Sequence, residues 1–323
     1  MTEAAIVGLG RWGRTLVDAV QGKSDKLRFT HAVSRDPGRV ADFAAAHNLV
    51  VLPSLDAVLG ERGIDAVVLA TPHSQHVGEI LAVAEAKRAV FCEKPLALSK
   101  SEALRAVEAC RRAGVVLGHG TDKRFFPAMQ ELARLAADGS LGRILHLEAH
   151  FSNEVAATMY SPWREALGES PAGGLTGTAI HVLDAMIRMA GPVRRVQAQL
   201  VSHKPPPDPQ DSLSVLIEFA LGVSGTLATV RSTPAYWRVH VFGRDGSAEA
   251  LGRTELVVRK SGTDAQHLRL PPNDSVRANL EAFADAVEGR ASYPIPEAHM
   301  IALVGACEAI VASASDRGSA VEA

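Results

Sequence analysis

The chain has 323 residues, enough for about two domains at ~150 residues each and for a sizeable core, which excludes a mini-protein held together by metals or disulfides. Lys and Arg total 34 against 36 Asp and Glu, so the formal net charge is -2, and no stretch carries the basic excess that a phosphate backbone demands. Hydrophobic residues make up 47%, but runs such as residues 66–70 are far shorter than the ~18 residues of a membrane span. A soluble protein with neither nucleic-acid nor membrane partners is expected. The first ten residues carry no basic run ahead of an apolar one, which argues against a secretory signal. Cys92, Cys110 and Cys307 are too few and too scattered for a disulfide framework or a CxxC metal knuckle, which fits the cytoplasm.

From residue 4 to residue 118, short apolar runs alternate with longer segments of helical period, the pattern of a parallel sheet with covering helices. Strands are expected at 4–7, 27–34, 49–52, 65–70, 89–92 and 115–118, and their Ala, Val and Leu content suits burial on both faces. Leu16, Val17 and Val20 form one helical stripe, and Val77, Ile80, Leu81 and Ala84 form another. Ser99 followed by Glu102 reads as a capping box that opens a helix running to Ala113, where Gly114 stops it.

Beyond Gly118 the pattern changes to a helix at 127–137, a strand at 144–151, an irregular stretch to 177 and a helix to 189. Strands at 193–201, 212–220, 223–231, 237–242 and 247–250 follow at hairpin spacing, and Leu213, Val215, Ile217 and Phe219 give one of them an apolar face. Four prolines within 204–209 mark an exposed connection, because proline cannot donate to a central ladder. Alanine-rich helices at 275–288 and 297–313 close the chain and could return to either domain. The expected fold class is α/β. A domain with a doubly wound parallel sheet spans 1–120, and an α+β domain with a largely antiparallel sheet spans 121–323.

The strongest local signal is Gly8-Leu9-Gly10-Arg11-Trp12-Gly13, a GxGxxG between the first strand and the first helix. Gly8 permits a tight turn, Gly10 lets the backbone approach a pyrophosphate, and Gly13 lets the helix sit close to the sheet. Trp12 either packs at the mouth of the site or covers the cofactor. At the second strand tip the chain reads Ser34-Arg35-Asp36. An acidic side chain about 20 residues past the glycines would take the ribose 2′-hydroxyl of NAD, whereas an Arg accommodates a 2′-phosphate. Ser34 and Arg35 favour NADP, with NAD as the alternative if Asp36 binds the ribose and does not simply cap the next helix. The fourth strand ends in Thr71-Pro72-His73-Ser74-Gln75-His76 and the fifth in Cys92-Glu93-Lys94-Pro95, both at the carboxyl edge where open α/β sheets bind ligands. A Lys there can polarise an oxygen or sit idle at a surface turn. Without a HExxH or a Cys cluster, His73 and His76 are not expected to bind metal, and His76 is assigned to the loop shaping the nicotinamide pocket.

These features together with Arg124-Phe125-Phe126-Pro127, Trp163-Arg164, Gly173-Gly174, Ile180-His181 and Asp184 resemble the Gfo/Idh/MocA oxidoreductase family, typified by glucose-fructose oxidoreductase and inositol dehydrogenase. The resemblance runs the whole length and implies an active site between a Rossmann domain and an α/β domain whose open sheet joins dimers or tetramers. It implies Lys94 and His181 as the catalytic pair, and Arg124, Trp163 and Arg164 as substrate contacts. One departure stands out: four residues before His181, where the family's dehydrogenases carry Asp, this chain has Gly177. Asp184 could orient the His181 ring or lie on the solvent side of its helix, and Thr178 could bond a substrate or cap that helix. The expected activity is hydride transfer between NAD(P) and a secondary alcohol or ketone of a sugar, polyol or cyclic diol. A glycosidase-type enzyme with tightly held cofactor, or a non-catalytic dinucleotide-binding regulator, is the alternative.

Overall fold

The short apolar runs of the first third of the chain form a six-stranded sheet in which every pairing is parallel. Its strands are β1 (Thr2–Val7), β2 (Leu27–Val33), β3 (Val50–Leu52), β4 (Ala66–Leu69), β5 (Ala89–Cys92) and β6 (Leu117–His119), in the order β3-β2-β1-β4-β5-β6. Every residue of β4 and β5 is buried, as strands covered on both faces require. The crossovers carry α1 (Arg11–Val20), α2 (Ala41–Ala46), α3 (Leu55–Gly60), α4 (His76–Glu85) and α5 (Lys100–Ala113). The anticipated stripe of α1 is buried, with Leu16, Val17 and Val20 in the core. The six-residue helices α2 and α3 have too little periodicity to announce themselves, although Ser54 caps α3 by accepting from the Ala57 N–H at 3.2 Å.

The computed structural model describes the chain except residues 154–162, 164, 165, 167, 204–207, 209, 210 and 232, so the proline-rich connection and Arg164 lie largely or wholly outside the described residues. The chain divides into two units, the first comprising 1–97, 101–122 and 274–300, the second 98–100, 123–273 and 301–323. The first is therefore not the contiguous 1–120 stretch. Helix α8 (Ser275–Val287), capped by the Asp274 side chain, returns to it and buries Leu280, Phe283 and Ala284, with Phe283 edge-on to Phe91 at 5.5 Å. Asn279 and Tyr293 then bond the backbone of His119 at the end of β6, through 2.9 and 3.0 Å contacts.

The second unit holds α6 (Pro127–Ala137), β7 (Ile144–Ser152), α7 (Ile180–Ala190), β8 (Val193–Val201), β9 (Ser212–Phe219), β10 (Ser224–Val230), β11 (Tyr236–Gly243), β12 (Gly246–Leu251), β13 (Glu255–Lys260), β14 (Gln266–Arg269), all but the first turn of α9 (Glu297–Ser315) and β15 (Val321–Glu322). Its nine strands run β14-β13-β12-β11-β7-β10-β9-β8-β15, antiparallel except where β10 meets β7. The edge strands β14 and β15 are short and polar, which blunts the edge and also hid them from hydrophobic patterning. Alternate residues, among them Leu147, Val215, Leu227 and Val239, pack with α6 and α7 in one core. Helix α9, 19 residues long and apolar enough by length and composition to cross a bilayer, buries Leu303, Ala306, Cys307, Ala309 and Ile310 in that core. The opposite face of the sheet carries a concavity of about 640 Å³ lined by Glu148, His150, Gln197, Ser214, Leu216 and Arg238.

Candidate active site

In the first unit, the strand order reverses between β1 and β4, and the glycine loop follows β1 at that point. Gly8 has φ +97°, and a Cβ there would lie 2.6 Å from the Ala70 carbonyl oxygen at the tip of β4. A Cβ on Gly13 would lie 2.0 Å from the Gly8 carbonyl oxygen, whereas one on Gly10 would meet no described atom within 4 Å. Two glycines therefore close the turn and the third opens it. Gly10 is the N-cap of α1, with extended backbone, no side-chain cap and no acidic residue in the first turn. The first N–H groups of the helix and the positive end of its dipole are thus left to an anion, which is the fit test for a dinucleotide pyrophosphate. Arg11 is exposed and lies over the Trp12 ring at 5.9 Å.

At the tip of β2, the Ser34 hydroxyl donates to the Asp36 carbonyl at 3.0 Å and accepts from the Asp36 N–H at 3.3 Å. The Asp36 carboxylate accepts from the Arg39 N–H at 3.3 Å, so it caps the short turn after Pro37. Arg35 is exposed. Arg14 ties this tip to the glycine loop by donating to the carbonyls of Leu9 and Arg39, at 3.4 and 3.0 Å.

The tips of β4 and β5 are joined by a histidine. The fully buried His76 ring has Nδ1 2.8 Å from the Pro95 carbonyl and Nε2 3.1 Å from the Thr71 carbonyl, so the two loops are held on one side chain. His76 is thus a brace for the loop carrying Thr71 and Pro72. Glu79, one turn further along α4, accepts from the Thr71 hydroxyl. Burial pushes its carboxyl up to about 7 despite that bond. Sequence reasoning missed Glu79; the signal was a carboxylate three residues after His76, inside an otherwise apolar helix face. Glu93 is buried, and desolvation raises it to about 7 against the opposing pull of the Trp12 indole and the Lys94 ammonium. Trp12 therefore faces the Glu-Lys-Pro segment as well as belonging to the glycine loop. Lys94 is half-buried, its N–H donates to Glu93 at 3.2 Å, and its peptide bond to Pro95 is cis. A Cβ on Gly120 would lie 2.6 Å from the Glu93 carboxylate, so β6 ends against this acid. Cys92 is buried, and its thiol is raised well above its ordinary value by burial and by Glu93 and Glu79, which makes it an inert apolar filler.

In the second unit, His181 lies in the first turn of α7, 5% exposed, with its ring 6.1 Å from that of Phe151 on β7. A π-helical turn, Leu175–Ala179, leads into α7. The Gly174 carbonyl accepts from the N–H groups of Thr178 and Ala179, at 2.9 and 3.1 Å, and from the Thr178 hydroxyl at 2.9 Å. Thr178 also lies 2.7 Å from the Thr229 hydroxyl, which donates to the Phe151 carbonyl at 2.7 Å. Thr178 is thus built into the turn. Asp184 is 1% exposed and accepts two bonds from the buried Arg124, at 2.8 and 3.2 Å. The solvent-side alternative for Asp184 is overturned, and Arg124 and Asp184 form a mutually neutralising bidentate pair. Gly177 is exposed, and a Cβ there would meet no described atom within 4 Å. Trp163 is half-buried, while Arg164, like Tyr160, lies outside the described residues. Lys94 belongs to the first unit and His181 to the second.

A 3-2-1-4-5-6 parallel sheet with a glycine cradle at its switch point is the dinucleotide-binding Rossmann fold, and here a mixed, mostly antiparallel sheet domain accompanies it. Residues 2–121 match "Oxidoreductase family, NAD-binding Rossmann fold", and residues 129–249 match "GFO/IDH/MocA C-terminal domain". The chain belongs to the Gfo/Idh/MocA family and is an NAD(P)-dependent oxidoreductase. It is 28% identical over 256 residues to the 2,7-anhydro-N-acetylneuraminate hydratase of Escherichia coli K12, covering 76% of this chain and 67% of that protein. It is 27% identical over 232 residues to the trans-1,2-dihydrobenzene-1,2-diol dehydrogenase of Sus scrofa, covering 70% and 68%. Among solved structures, GenD2 from gentamicin A biosynthesis, in complex with NAD, superposes with a TM-score of 0.86 at 26% identity over 100% of this chain and 96% of that one. A levoglucosan dehydrogenase in complex with NADH and levoglucosan shares the fold, with a TM-score of 0.88 at 21% identity and 99% coverage of both chains.

Proposed function

We propose that the protein moves a hydride between NADP(H) and a secondary alcohol or its ketone on a sugar, polyol or cyclic diol. The observation that carries this reading is the uncapped α1 terminus in its glycine cradle, in the same unit as the Glu93-Lys94-Pro95 tip. Gly8, Gly10, Arg11, Trp12 and Gly13 would hold the pyrophosphate end, and Thr71, Pro72 and Glu93 the nicotinamide end, with the buried His76 bracing their loops from behind. The dinucleotide, when bound, supplies the hydride acceptor or donor. NADP is preferred over NAD because Asp36 is engaged as a cap while Arg35 is exposed, offering a planar cation to a 2′-phosphate. Lys94 polarises the substrate oxygen and His181 exchanges its proton, as general acid and base. Names of relatives support the substrate class, since they include a diol dehydrogenase and a levoglucosan dehydrogenase.

The test is spectrophotometric. NADP and NAD are each offered with panels of sugars, polyols and cyclic diols, and nicotinamide reduction is followed. Turnover with NADP and at least one secondary alcohol is expected; stoichiometric binding without turnover on any alcohol or ketone would overturn the reading. A second reading has its own support in the relative named a hydratase, a reaction that adds water. Product formed without net change in nicotinamide absorbance would select it. We also place the enzyme in the cytoplasm, where its three buried cysteines, none of them in a disulfide among the described residues, stay reduced. Its open sheet face, with Leu216 58% exposed beside Glu148 and Arg238, suits a homodimer or homotetramer, and Leu216→Arg should shift the mass seen by light scattering.

A further inference from the structure

The loop before β9 and the end of β10 hold a buried ionic pair that the proposed chemistry does not use. Asp211 and Arg231 are 2% and 5% exposed, and Arg231 Nη1 donates to Asp211 Oδ2 at 3.4 Å and to the Asp208 carbonyl at 3.4 Å. The pair sits directly beneath the Gly-Gly turn. A Cβ on Gly173, whose φ is +61°, would lie 2.0 Å from the Asp211 carboxylate, and one on Gly174 would lie 2.9 Å from Arg231 Cγ. These two glycines are thus moulded onto the pair, and Gly174 supplies the carbonyl from which the π turn hangs.

The alternation of β10, carried one residue past its end, explains why this segment reaches the turn twice. Thr229 and Arg231 are two residues apart and so project from the same face. Thr229 meets Thr178 at 2.7 Å, while the Arg231 side chain underlies Gly174. The turn is therefore gripped at its N-cap, Gly174, and at its fourth residue, Thr178, and it runs without a break into His181. Burying such a pair is weak evidence for stability, because desolvation consumes most of the Coulombic gain, so a conformational role is the better account of it. We propose that Asp211 is a positioning residue for His181, acting through Gly173 and Gly174. The proposal rests on the reading of His181 as the proton-exchanging group.

Burial also raises the Asp211 carboxyl to about 6, against the pull of Arg231 and of the Gly174 N–H and with the repulsion of Asp208. The clamp is consequently an ionic contact held at some cost, and losing its charge should loosen the turn it grips.

The experiment compares the parent with Asp211→Asn, which keeps the volume under Gly173 and removes the charge. Amide exchange at residues 178–181 should accelerate ~10-fold or more, as expected for local opening, with no change across β1 and α1. The titration midpoint of the His181 ring, followed by NMR, should shift. Turnover should fall ~10-fold or more while the NADPH dissociation constant stays within about 2-fold, because the glycine cradle belongs to the other unit. A His181 titration and a 178–181 exchange pattern identical to the parent's would overturn the proposal. If Asp211→Asn does not fold, Arg231→Lys, which shortens the reach to Asp211 but keeps the charge, takes its place with the same expected and overturning results. A parent that turns over no alcohol or ketone would overturn the functional reading alone, since exchange and ring titration are read without substrate.

Discussion

The glycine cradle and the His181 turn are both tight approaches of backbone to something that needs space, but they are built from opposite materials. In the cradle the neighbours are backbone: Gly8 faces the Ala70 carbonyl and Gly13 faces the Gly8 carbonyl. Donors at the helix terminus are backbone too, so six consecutive residues carry nearly the whole construction. Around His181 the neighbours are side chains from other strands and their ends: Asp211 beneath Gly173, Arg231 beneath Gly174, Thr229 beside Thr178 and Phe151 beside the ring. A local backbone device tolerates almost any surroundings that leave its glycines alone. A side-chain device depends on several distant residues at once and can be retuned by any of them.

That contrast predicts its largest effect at the glycines. Gly13→Ala drives a methyl into the Gly8 carbonyl and should both destabilise the protein and cost at least ~100-fold in NADPH affinity, the worth of two charge-assisted hydrogen bonds at ~1.5–3 kcal/mol each. Gly10→Ala meets no described atom within 4 Å, so it should weaken NADPH while leaving the melting temperature unchanged. Thermal unfolding and fluorescence titration read the two effects apart, and equal melting temperatures for both variants would break the distinction.

Next come the groups assigned to proton and charge handling. Lys94→Ala should leave the fold intact, because the side chain lies at a strand tip, and should lower turnover by ~100-fold or more. His181→Ala should cost a similar factor and remove the rise of alcohol oxidation with pH that accompanies deprotonation of the imidazole. Gly177→Asp, which places a carboxylate where no described atom lies within 4 Å of the added Cβ, should not improve turnover on the natural substrate if the glycine leaves room for that substrate. Steady-state pH profiles of the three variants check this, and a clear gain from Gly177→Asp would show that the glycine is a loss and not an adaptation.

A smaller effect separates the cofactors. Arg35→Ala should weaken NADP(H) by ~1.5–3 kcal/mol, the scale of a hydrogen bond to a charged group, and leave NAD(H) nearly unchanged. Equal losses for both would return the 2′-position to Asp36.

The smallest is a pH slope in stability. Glu79 is raised to about 7 in the folded protein by burial, against ~4.3 for an unfolded Glu. Between those values the folded state holds more protons than the unfolded state, so this group's contribution is fully present below about pH 4 and declines as pH rises through 7. Glu79→Gln should flatten that part of the melting-temperature profile. An unchanged slope would mean that Glu79 is ionised in its bond to Thr71.

The Rossmann half and its cradle were legible because their determinants are local. Periodicity located the strands, the α1 stripe and most of the α4 stripe, in which Val83 is buried and Leu81 only half-buried, and the GxGxxG spacing located the anion site without any long-range information. Glu79 escaped notice because its significance comes from burial, and Asp36 could not be assigned between ribose and cap until its bond to the Arg39 N–H was in view.

The second unit divides in the same way. Its antiparallel character followed from alternating residues such as Leu213, Val215, Ile217 and Phe219, whereas the edges β14 and β15 were too short or too polar to register, and β13 offered only a three-residue apolar run, Leu256 to Val258. Sequence alone therefore determined which residues could be strands, helices and backbone cradles, because those depend on period and on the absence of a Cβ. Tertiary structure alone decided that Asp184 faces Arg124 and not water, that α8 completes the first core, and that Asp211 and Arg231 lie under Gly173 and Gly174. Each of those outcomes pairs groups tens of residues apart or more, or in the last case seats a buried pair under a distant turn, and the energy of burying a charge depends on where its partner arrives in space.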